Sequence, residues 1–279
     1  MSTRSTYPPG VPCWAAQLSP DIDESRQFYA AVFGWRFDNV AGEADPPFLI
    51  ASVRGDRVAG LAGPVDSGTW ITAVAVADLT AAKRAVAPAG GSAPGDSVEI
   101  ATLGHFHRLK DPAGTEVHIA QLFEGRGAVR RNEPGAWSMS SLRVADTSLV
   151  TPFYLSLFGW EAEEFGPVTL FRLSGYRGEE PNQPVLREVV ATMEQVDADP
   201  VWRPDFWVDD TDAAAETALA RGGQVIAAPA DTDLGFRTAV LADPTGGTFS
   251  VSRRSTDGPV SAAPILAGSE PVAPLPQRG

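Results

Sequence analysis

The sequence predicts an α+β fold that is a tandem duplication of paired βαβββ modules, four modules in all. Three observations lead to this prediction: a repeated aromatic helix motif, a repeated turn motif, and the same order of apolar periodicities in each half of each unit. Such modules are expected to form cupped antiparallel or mixed sheets with the helices outside.

The two repeated motifs establish the duplication. Residues 28–35 read FYAAVFGW and residues 153–160 read FYLSLFGW, 125 positions later, and Asp21 and Asp146 precede them at the same offset. DPAG at 111–114 returns as DPTG at 243–246, 132 positions later. Matches in the same order at nearly constant offsets indicate two copies of one ancestral unit.

Each element of the first unit follows from periodicity and from helix end signals. A strand-like run over residues 13–19 precedes Asp21 and Glu24, an acidic pair suited to cap a helix. Helically spaced apolar residues follow up to Gly34, and PFLIASV and DRVAGLAG then have the composition of strands. The second module repeats the plan with TWITAVAVA, DLTAAKRAVAPAGG, SVEIATL, HFHRLKD and EVHIAQL.

The second unit follows the same order. SSLRVAD, TSLVTPFYLSLFG and TLFRLSG open it, and DFWVDD, AAAETALARGG, FRTAVLAD and TFSVSR close it. The sequence does not decide whether modules pair within a unit or between units. A monomer with an internal pseudo-dimer and a homodimer both remain open.

Composition and charge exclude several functional classes. The 279 residues are 43% apolar and 20% charged, which is typical of a globular protein. No apolar run approaches the roughly 18 residues of a membrane span, and the N-terminus lacks a signal-like apolar core, so we expect a cytoplasmic protein without a membrane partner. The net charge of −13 makes nucleic acid an improbable partner and would weakly attract a cationic ligand. A single cysteine, Cys13, excludes intramolecular disulfides and cysteine-based zinc clusters.

The strand, acidic cap, FY…FGW helix and DPxG turn together resemble the vicinal oxygen chelate superfamily, over roughly residues 12–253. That superfamily includes glyoxalases, extradiol dioxygenases and bleomycin-type resistance proteins. The tandem form resembles a two-domain branch common in high-GC bacteria, some of whose members are accessory or resistance proteins of antibiotic pathways such as the anthracyclines. The boundaries that follow are an N-terminal extension at 1–11, a first glyoxalase-like domain at 12–123, a linker at 124–134, a second such domain at 135–254 and a Pro- and Ala-rich tail at 255–279.

The resemblance implies where a metal would be held. Family enzymes place His, Gln or Glu ligands on the first and last strands of each module. The first-strand positions, seven residues before each capping aspartate, and the last-strand positions, seven after each DPxG aspartate, are Trp14, Ile71, Met139, Arg203, His118 and Ser250. Only His118 is a usual ligand, so we expect no metal and no cofactor. The alternative metal site is a triad of His105, His107 and His118.

The resemblance also gives the residues expected to line the ligand faces. In unit one they are Trp14, Ala16, Leu18, Ile71, Ala73, Glu116 and His118, and in unit two they are Trp137, Met139, Arg143, Arg203, Asp205, Trp207 and Ser250. Alanines leave space, Trp14 offers a flat surface and Glu116 or His118 can orient a ligand, which suits a planar molecule. The FGW aromatic residues are expected to pack in the core, and Trp70 and Trp202, one residue off the ligand face, are expected to be packing or rim residues.

These residues predict metal-free binding and sequestration of a large planar aromatic molecule, such as an anthracycline-type polyketide. A ligand of this class that also carries a cationic amine would suit the acidic protein. The role would be self-resistance or support of the compound's biosynthesis, without catalysis. The alternative is a metal-dependent glyoxalase-like lyase or dioxygenase, supported by the HxH pair. A third hypothesis is a stress protein with no small ligand.

The tail gives a first testable prediction. Residues 255–279 contain five prolines and no periodic apolar pattern, so truncation after Thr256 should remove little buried area. Thermal unfolding should show nearly the same Tm for the truncated and the full chain. A fall of several degrees would contradict this and would indicate docking of Ile265 and Leu266, the tail's adjacent bulky apolar pair.

Overall fold

In the part of the chain that the structure describes, two mixed, curled sheets of eight strands each form the architecture, and each sheet belongs to one sequence unit. The computed structural model describes residues 6–40, 47–100, 102–124, 126–178, 188–233 and 235–255. The tail beyond residue 255 therefore lies outside the described residues. No helix in these ranges is long and apolar enough to cross a membrane.

The first sheet uses residues 12–122. Its strands are β1 (Pro12–Leu18), β2 (Arg36–Asn39), β3 (Phe48–Val53), β4 (Asp56–Ala62), β5 (Thr69–Ala75), β6 (Val98–Ile100), β7 (Gly104–Lys110) and β8 (Glu116–Leu122), with helices α1 (Ile22–Phe33) and α2 (Leu79–Val86). The spatial order is β2-β3-β4-β1-β5-β8-β7-β6. β1 and β5 pair antiparallel and join the two modules, while β1–β4 and β5–β8 are parallel pairs.

The second sheet repeats this topology. Its strands are β9 (Trp137–Val144), β10 (Trp160–Phe165), β11 (Val168–Leu173), β12 (Val189–Gln195), β13 (Val201–Trp207), β14 (Gln224–Asp231), β15 (Phe236–Ala242) and β16 (Thr248–Arg254), with helices α3 (Thr147–Phe158) and α4 (Thr211–Ala220). The order β10-β11-β12-β9-β13-β16-β15-β14 matches the first sheet strand for strand. Modules therefore pair within each unit, and the predicted tandem βαβββ fold is confirmed.

The predicted helix starts and the ends of the two FGW helices are confirmed, whereas α2 ends at Val86, before the glycines at which the sequence predicted its end. Each helix begins after an aspartate whose side chain accepts a hydrogen bond from a backbone N–H of the first turn; these are Asp21, Asp78, Asp146 and Asp210. The two FGW helices end at Gly34 and Gly159, with φ of 70° and 68°. These left-handed values favour glycine, which lacks the Cβ that would clash.

The helices tie the two units together. Phe33 of α1 lies 5.0 Å from Phe206 of β13, and Tyr29 lies 5.6 Å from Phe249 of β16, between ring centroids. In the same way the α3 aromatic residues share a core with Val74 and Ile119 of the first sheet. Each FGW helix therefore packs against the sheet of the other unit.

A buried hydrogen-bond chain connects the two repeated motifs across the units. Tyr29 Oη donates to Asp243 Oδ2 at 2.6 Å, and Trp70 Nε1 donates to Tyr29 Oη at 2.9 Å. The other oxygen of Asp243 accepts the backbone N–H groups of its own DPTG turn. These hydrogen bonds therefore satisfy the Asp243 carboxylate, which is only 1% exposed.

The equivalent hydrogen-bond chain connects Tyr154 and Trp202 of the second unit to Asp111 of the first unit. Tyr154 Oη donates to Asp111 Oδ2 at 2.9 Å and accepts from Trp202 Nε1 at 2.9 Å. Burial, followed by the charge of the partner aspartate, raises the pKa of Tyr29 and of Tyr154 well above the usual tyrosine value. Both hydroxyls therefore stay protonated as donors. Trp70 and Trp202 are buried, as the packing prediction required.

The segments just before the first strand of each unit are also held by the other unit. Trp35 Nε1 donates to Gly135 O, and Trp160 Nε1 donates to Gly10 O, both at 2.6 Å. A Cβ on Gly10, whose φ is 85°, would lie 2.7 Å from Phe158 O, so glycine allows this close approach.

In the segment expected to link the units, Arg130 is 3% exposed and forms ion pairs with Asp56 and Glu133. Residues 127–133 of this segment are therefore packed, whereas Glu124 and Arg126 are exposed.

Removing the tyrosine hydroxyls tests the connection between the units. Tyr29→Phe and Tyr154→Phe each leave a buried carboxylate without one donor, so each should lower the free energy of unfolding by about 1.5–3 kcal/mol. Urea denaturation measures the effect. Tyr7→Phe is the control, because its hydroxyl donates to the neutral Ala128 O and should cost about 0.5–1.5 kcal/mol. Tyr29→Phe and Tyr154→Phe variants as stable as the wild type would contradict the role of these bonds.

Candidate functional site

The concave face of each sheet consists of alternate residues from its central strands. In the first sheet Trp14 lies opposite Ala73, and Ala73 lies beside His118. Ala16 lies opposite Ile71 and beside Gly60. The predicted unit-one residues therefore do meet on one face.

The centre of this first face is apolar and tightly packed. Trp14 and Ala16 are each 1% exposed, and Ala73 is fully buried. A Cβ on Gly60 would lie 2.9 Å from Trp14 Nε1 and 2.9 Å from Phe48 Cζ, so glycine is what lets the indole lie here. Trp14 Nε1 is buried and has no hydrogen-bond partner among the described residues. The indole thus leaves one unsatisfied donor on the concave side.

Polar groups lie at the edge of the first face. His118 Nε2 is 2.9 Å from Glu116 Oε1, and Arg108 Nη1 is 3.8 Å from Glu116 Oε2. Burial by itself would raise the pKa of Glu116, but the hydrogen bond with His118 and the positive charges nearby bring this pKa below its usual value. Glu116 is therefore an ionised acceptor. Leu18 lies farther along β1 and is partly exposed.

The structure does not bring the alternative histidine triad together. His118 lies opposite Arg108, whereas His107 lies opposite Ile119, so His107 and its neighbour His105 project from the other face of the sheet. His107 Nδ1 is 3.2 Å from Ser97 Oγ, on the helix side. The HxH spacing places His105 and His107 on one side of β7, but β8 presents His118 on the opposite side.

The concave face of the second sheet is more polar. Arg203 of β13 lies opposite Ser141 of β9, and Asp205 lies opposite Met139 and beside Ser250 of β16. Trp207 continues the same face and is partly exposed. All of the predicted unit-two residues except Trp137 lie on this face.

Trp137 is a correction to the sequence prediction. A β-bulge at this end of β9 shifts the register, so Trp137 lies opposite Phe206 and not on the side of Met139. Its side chain is fully buried, with Arg131 stacked 3.9 Å from the ring centroid. Period-two counting fails at a bulge because one extra residue reverses the side to which earlier residues point. Trp137 is therefore a core residue.

The sequence analysis missed Glu194 of β12, which lies beside Arg143 in the parallel β9–β12 pair. The Arg143 guanidinium forms an ion pair with Glu194 Oε2, and Ser141 Oγ donates to Glu194 Oε1 at 3.2 Å. Aligning residues 189–195 with the DRVAGLAG strand of the first unit would have revealed this position. Glu194 therefore explains how Arg143, one of the two arginines predicted on this face, is neutralised.

Asp205 and Arg203 are the most perturbed charged groups on this face. Burial raises the pKa of Asp205 to about 7, despite the hydrogen bond from Ser252 Oγ at 2.6 Å and the positive charge of Arg203. Burial, and then the charge of Arg143, lowers the pKa of Arg203. The Nε atom of Arg203 is buried and has no hydrogen-bond partner among the described residues. A guanidinium with a free donor thus lies beside a carboxyl group that titrates near neutral pH.

The side chains on these faces do not fit the divalent metal that the fold family implies. The six positions expected to hold it carry an indole, an alkyl chain, a thioether, a guanidinium, an imidazole and a hydroxyl; they are Trp14, Ile71, Met139, Arg203, His118 and Ser250. Within the described ranges, no group of three or more His, Cys, Asp or Glu side chains could hold a metal ion. Arg143 and Arg203 would also repel a cation on the second face.

Comparison with known proteins agrees with this architecture. A family model described as a glyoxalase-like domain matches residues 139–252. A Mycobacterium tuberculosis protein, provisionally named glyoxylase CFP32, is 32% identical over 265 residues, which cover 90% of this chain and 97% of that protein. The anthracycline biosynthesis protein DnrV of Streptomyces peucetius is 27% identical over 266 residues, covering 88% of this chain and 94% of that protein.

Solved structures share the fold at much lower identity. The Mn(II)-bound glyoxalase from Novosphingobium aromaticivorans superposes with a TM-score of 0.61 at 16% identity, covering 91% of this chain and 85% of that one. The 2,3-dioxygenase LapB from Pseudomonas sp. KL28 gives a TM-score of 0.60 at 12% identity, covering 87% of this chain and 91% of that one. Because the Mycobacterium tuberculosis relative is 32% identical and the match covers 90% of this chain, the chain belongs to the glyoxalase-like family of the vicinal oxygen chelate superfamily.

Proposed function

We propose that this protein binds a large planar aromatic small molecule on a concave sheet face without using a metal. The role would be to sequester the compound, either to protect the cell or to support the compound's biosynthesis. The observation that carries the proposal is the replacement of expected metal ligands by an indole, alkyl groups and a guanidinium at Trp14, Ile71 and Arg203. Aromatic and apolar groups with a few polar ones are the usual lining of a site for a flat organic ligand.

Two further observations support this proposal. Trp207 is partly exposed on the second concave face, where a ring system could stack on its indole. Relatives at 27% and 28% identity are named as anthracycline biosynthesis proteins, and anthracyclines contain such a ring system. The second candidate, a metal-dependent glyoxalase-like lyase or dioxygenase, is favoured by the 32% identical relative that is provisionally named a glyoxylase.

Tryptophan variants test the aromatic ligand and show which face binds it. Trp207→Ala should weaken daunorubicin binding by roughly 5- to 150-fold if the second face holds the ligand, since stacking and buried area contribute about 1–3 kcal/mol. Trp14→Phe, which removes the unsatisfied N–H but keeps an aromatic ring, should weaken binding if the first face holds it. Isothermal titration calorimetry measures both affinities.

The matched control for these variants is Phe123→Ala. This residue is 36% exposed and lies beside His105, away from both concave faces, so its loss should leave the affinity unchanged. Trp35→Ala is a second control, expected to lower stability by about 3–5 kcal/mol while folded protein still binds. Unchanged binding by both Trp207→Ala and Trp14→Phe would contradict a ligand held beside either of these two indoles.

Metal content separates the two candidate functions. The donor groups described above predict that purified protein carries no stoichiometric manganese, iron, nickel or zinc, and that chelator treatment alters neither Tm nor daunorubicin affinity. Elemental analysis and thermal unfolding with and without EDTA measure this. Near one equivalent of metal per chain, lost together with stability on chelation, would favour the lyase or dioxygenase.

A further inference from the structure

We propose that the concave face of the second unit recognises an acidic group of its aromatic ligand through the Arg203 guanidinium, which lies at a position where family enzymes hold a metal ligand. This proposal rests on the proposed function and names the chemistry of its ligand. The group recognised is a pair of oxygens that share negative charge, either a ring carboxylate or two neighbouring phenol and quinone oxygens.

The geometry supports Arg203 as the binding group. Its strand places it opposite Ser141 and two residues before Asp205, at the centre of the face. The neighbouring Arg143 is already paired with Glu194, but the Nε of Arg203 has no hydrogen-bond partner among the described residues. A guanidinium is a planar fork of N–H donors that matches two adjacent oxygens. The Nε of Arg203 is therefore a donor that the described residues of this face leave unused.

The charges around Asp205 favour an anion over a cation. Arg203 is on the same strand, β9 presents Arg143, and β12 presents Glu194. β16 presents Ser250 and Ser252, with Arg254 exposed at its end. When Asp205 is protonated, the three arginines of this face, Arg143, Arg203 and Arg254, outnumber its remaining carboxylate, Glu194. The local charge is then positive although the whole chain carries −13.

Asp205 makes this recognition dependent on pH. Because burial raises its pKa to about 7, Asp205 is largely protonated at pH 6 and largely ionised at pH 8. The protonated form can donate a hydrogen bond to a ligand oxygen, whereas the ionised form repels an anion and competes for Arg203. The affinity for an acidic ligand should therefore rise as the pH falls from 8 to 6.

Two matched probes test the proposal: anthraquinone-2-carboxylate and its neutral analogue anthraquinone-2-carboxamide, titrated calorimetrically at pH 6 and pH 8 in EDTA. Wild-type protein should bind the carboxylate roughly tenfold more tightly than the carboxamide at pH 6, a charge-assisted hydrogen-bond effect. Arg203→Gln should abolish this preference by lowering the carboxylate affinity to about that of the carboxamide. Asp205→Asn should remove the pH dependence.

The controls address charge, folding and ligand source. Arg221→Gln removes an equal charge at the exposed end of α4 and should keep the preference. Arg203→Lys keeps the charge without the planar fork, and should lose part of the preference even if Arg203→Gln fails to fold. If 1,2-dihydroxyanthraquinone shows the Arg203-dependent gain and the carboxylate does not, the oxygen pair is the group recognised.

The outcomes separate this proposal from the proposed function. Recognition by Arg203 would be overturned, with aromatic binding left standing, if both probes bound equally and Arg203→Gln and Arg203→Lys left the binding of 1,2-dihydroxyanthraquinone unchanged as well. Failure of wild-type protein to bind either probe or daunorubicin would overturn both. A carboxylate preference that persists in Arg203→Gln but disappears in Arg221→Gln would also overturn the assignment to Arg203.

Discussion

The hydrogen bond from a helix tyrosine to the turn aspartate of the other unit is the interaction on which the arrangement of this molecule depends. Asp243 and Asp111 are buried, and each would be costly without donors. Backbone N–H groups of the DPxG turn satisfy one oxygen, and Tyr29 or Tyr154 satisfies the other. Both ends of the bond come from the repeated motifs, so the duplication itself supplies two reciprocal connections.

These connections determine which surfaces remain for a ligand. The FGW helices and the sheet faces beneath them are used for packing between units, where Thr72 Oγ1 also donates to Ser140 Oγ at 2.7 Å. The centre of the first concave face is also buried in this core, whereas the second concave face carries charged groups and the partly exposed Trp207. On the second face, Arg143 is neutralised by Glu194, while Arg203 and Asp205 are perturbed by burial. A ligand that supplies acidic oxygens would relieve the cost of that burial.

The sequence predicts the motifs well but does not predict their partners. Aspartate caps, terminal glycines and the buried FGW aromatic residues depend on local spacing, and the structure confirms them. The edge strands β2, β10 and β14 were missed because most of their residues are exposed, which removes the alternating apolar pattern. The pairing of Tyr29 with Asp243 spans 214 positions, and no local pattern signals it.

The candidate site shows the same division. Period-two alternation correctly groups Arg203, Asp205 and Trp207, but it fails for Trp137, where a bulge reverses the side of the strand. Glu194 was missed because its strand was not recognised. Glu194 pairs with Arg143, and the Nε of Arg203 is left without a partner among the described residues. Side-chain pairing across strands is a property of the assembled sheet.

The most direct test of the account is a crystal structure of the full chain grown with anthraquinone-2-carboxylate in the presence of manganese. The account predicts the ring system on the second concave face beside Trp207, its carboxylate within hydrogen-bond distance of the Arg203 guanidinium, and no metal on that face. A manganese ion coordinated by Glu194 or Asp205, with the ligand oxygens bound to it, would contradict the account.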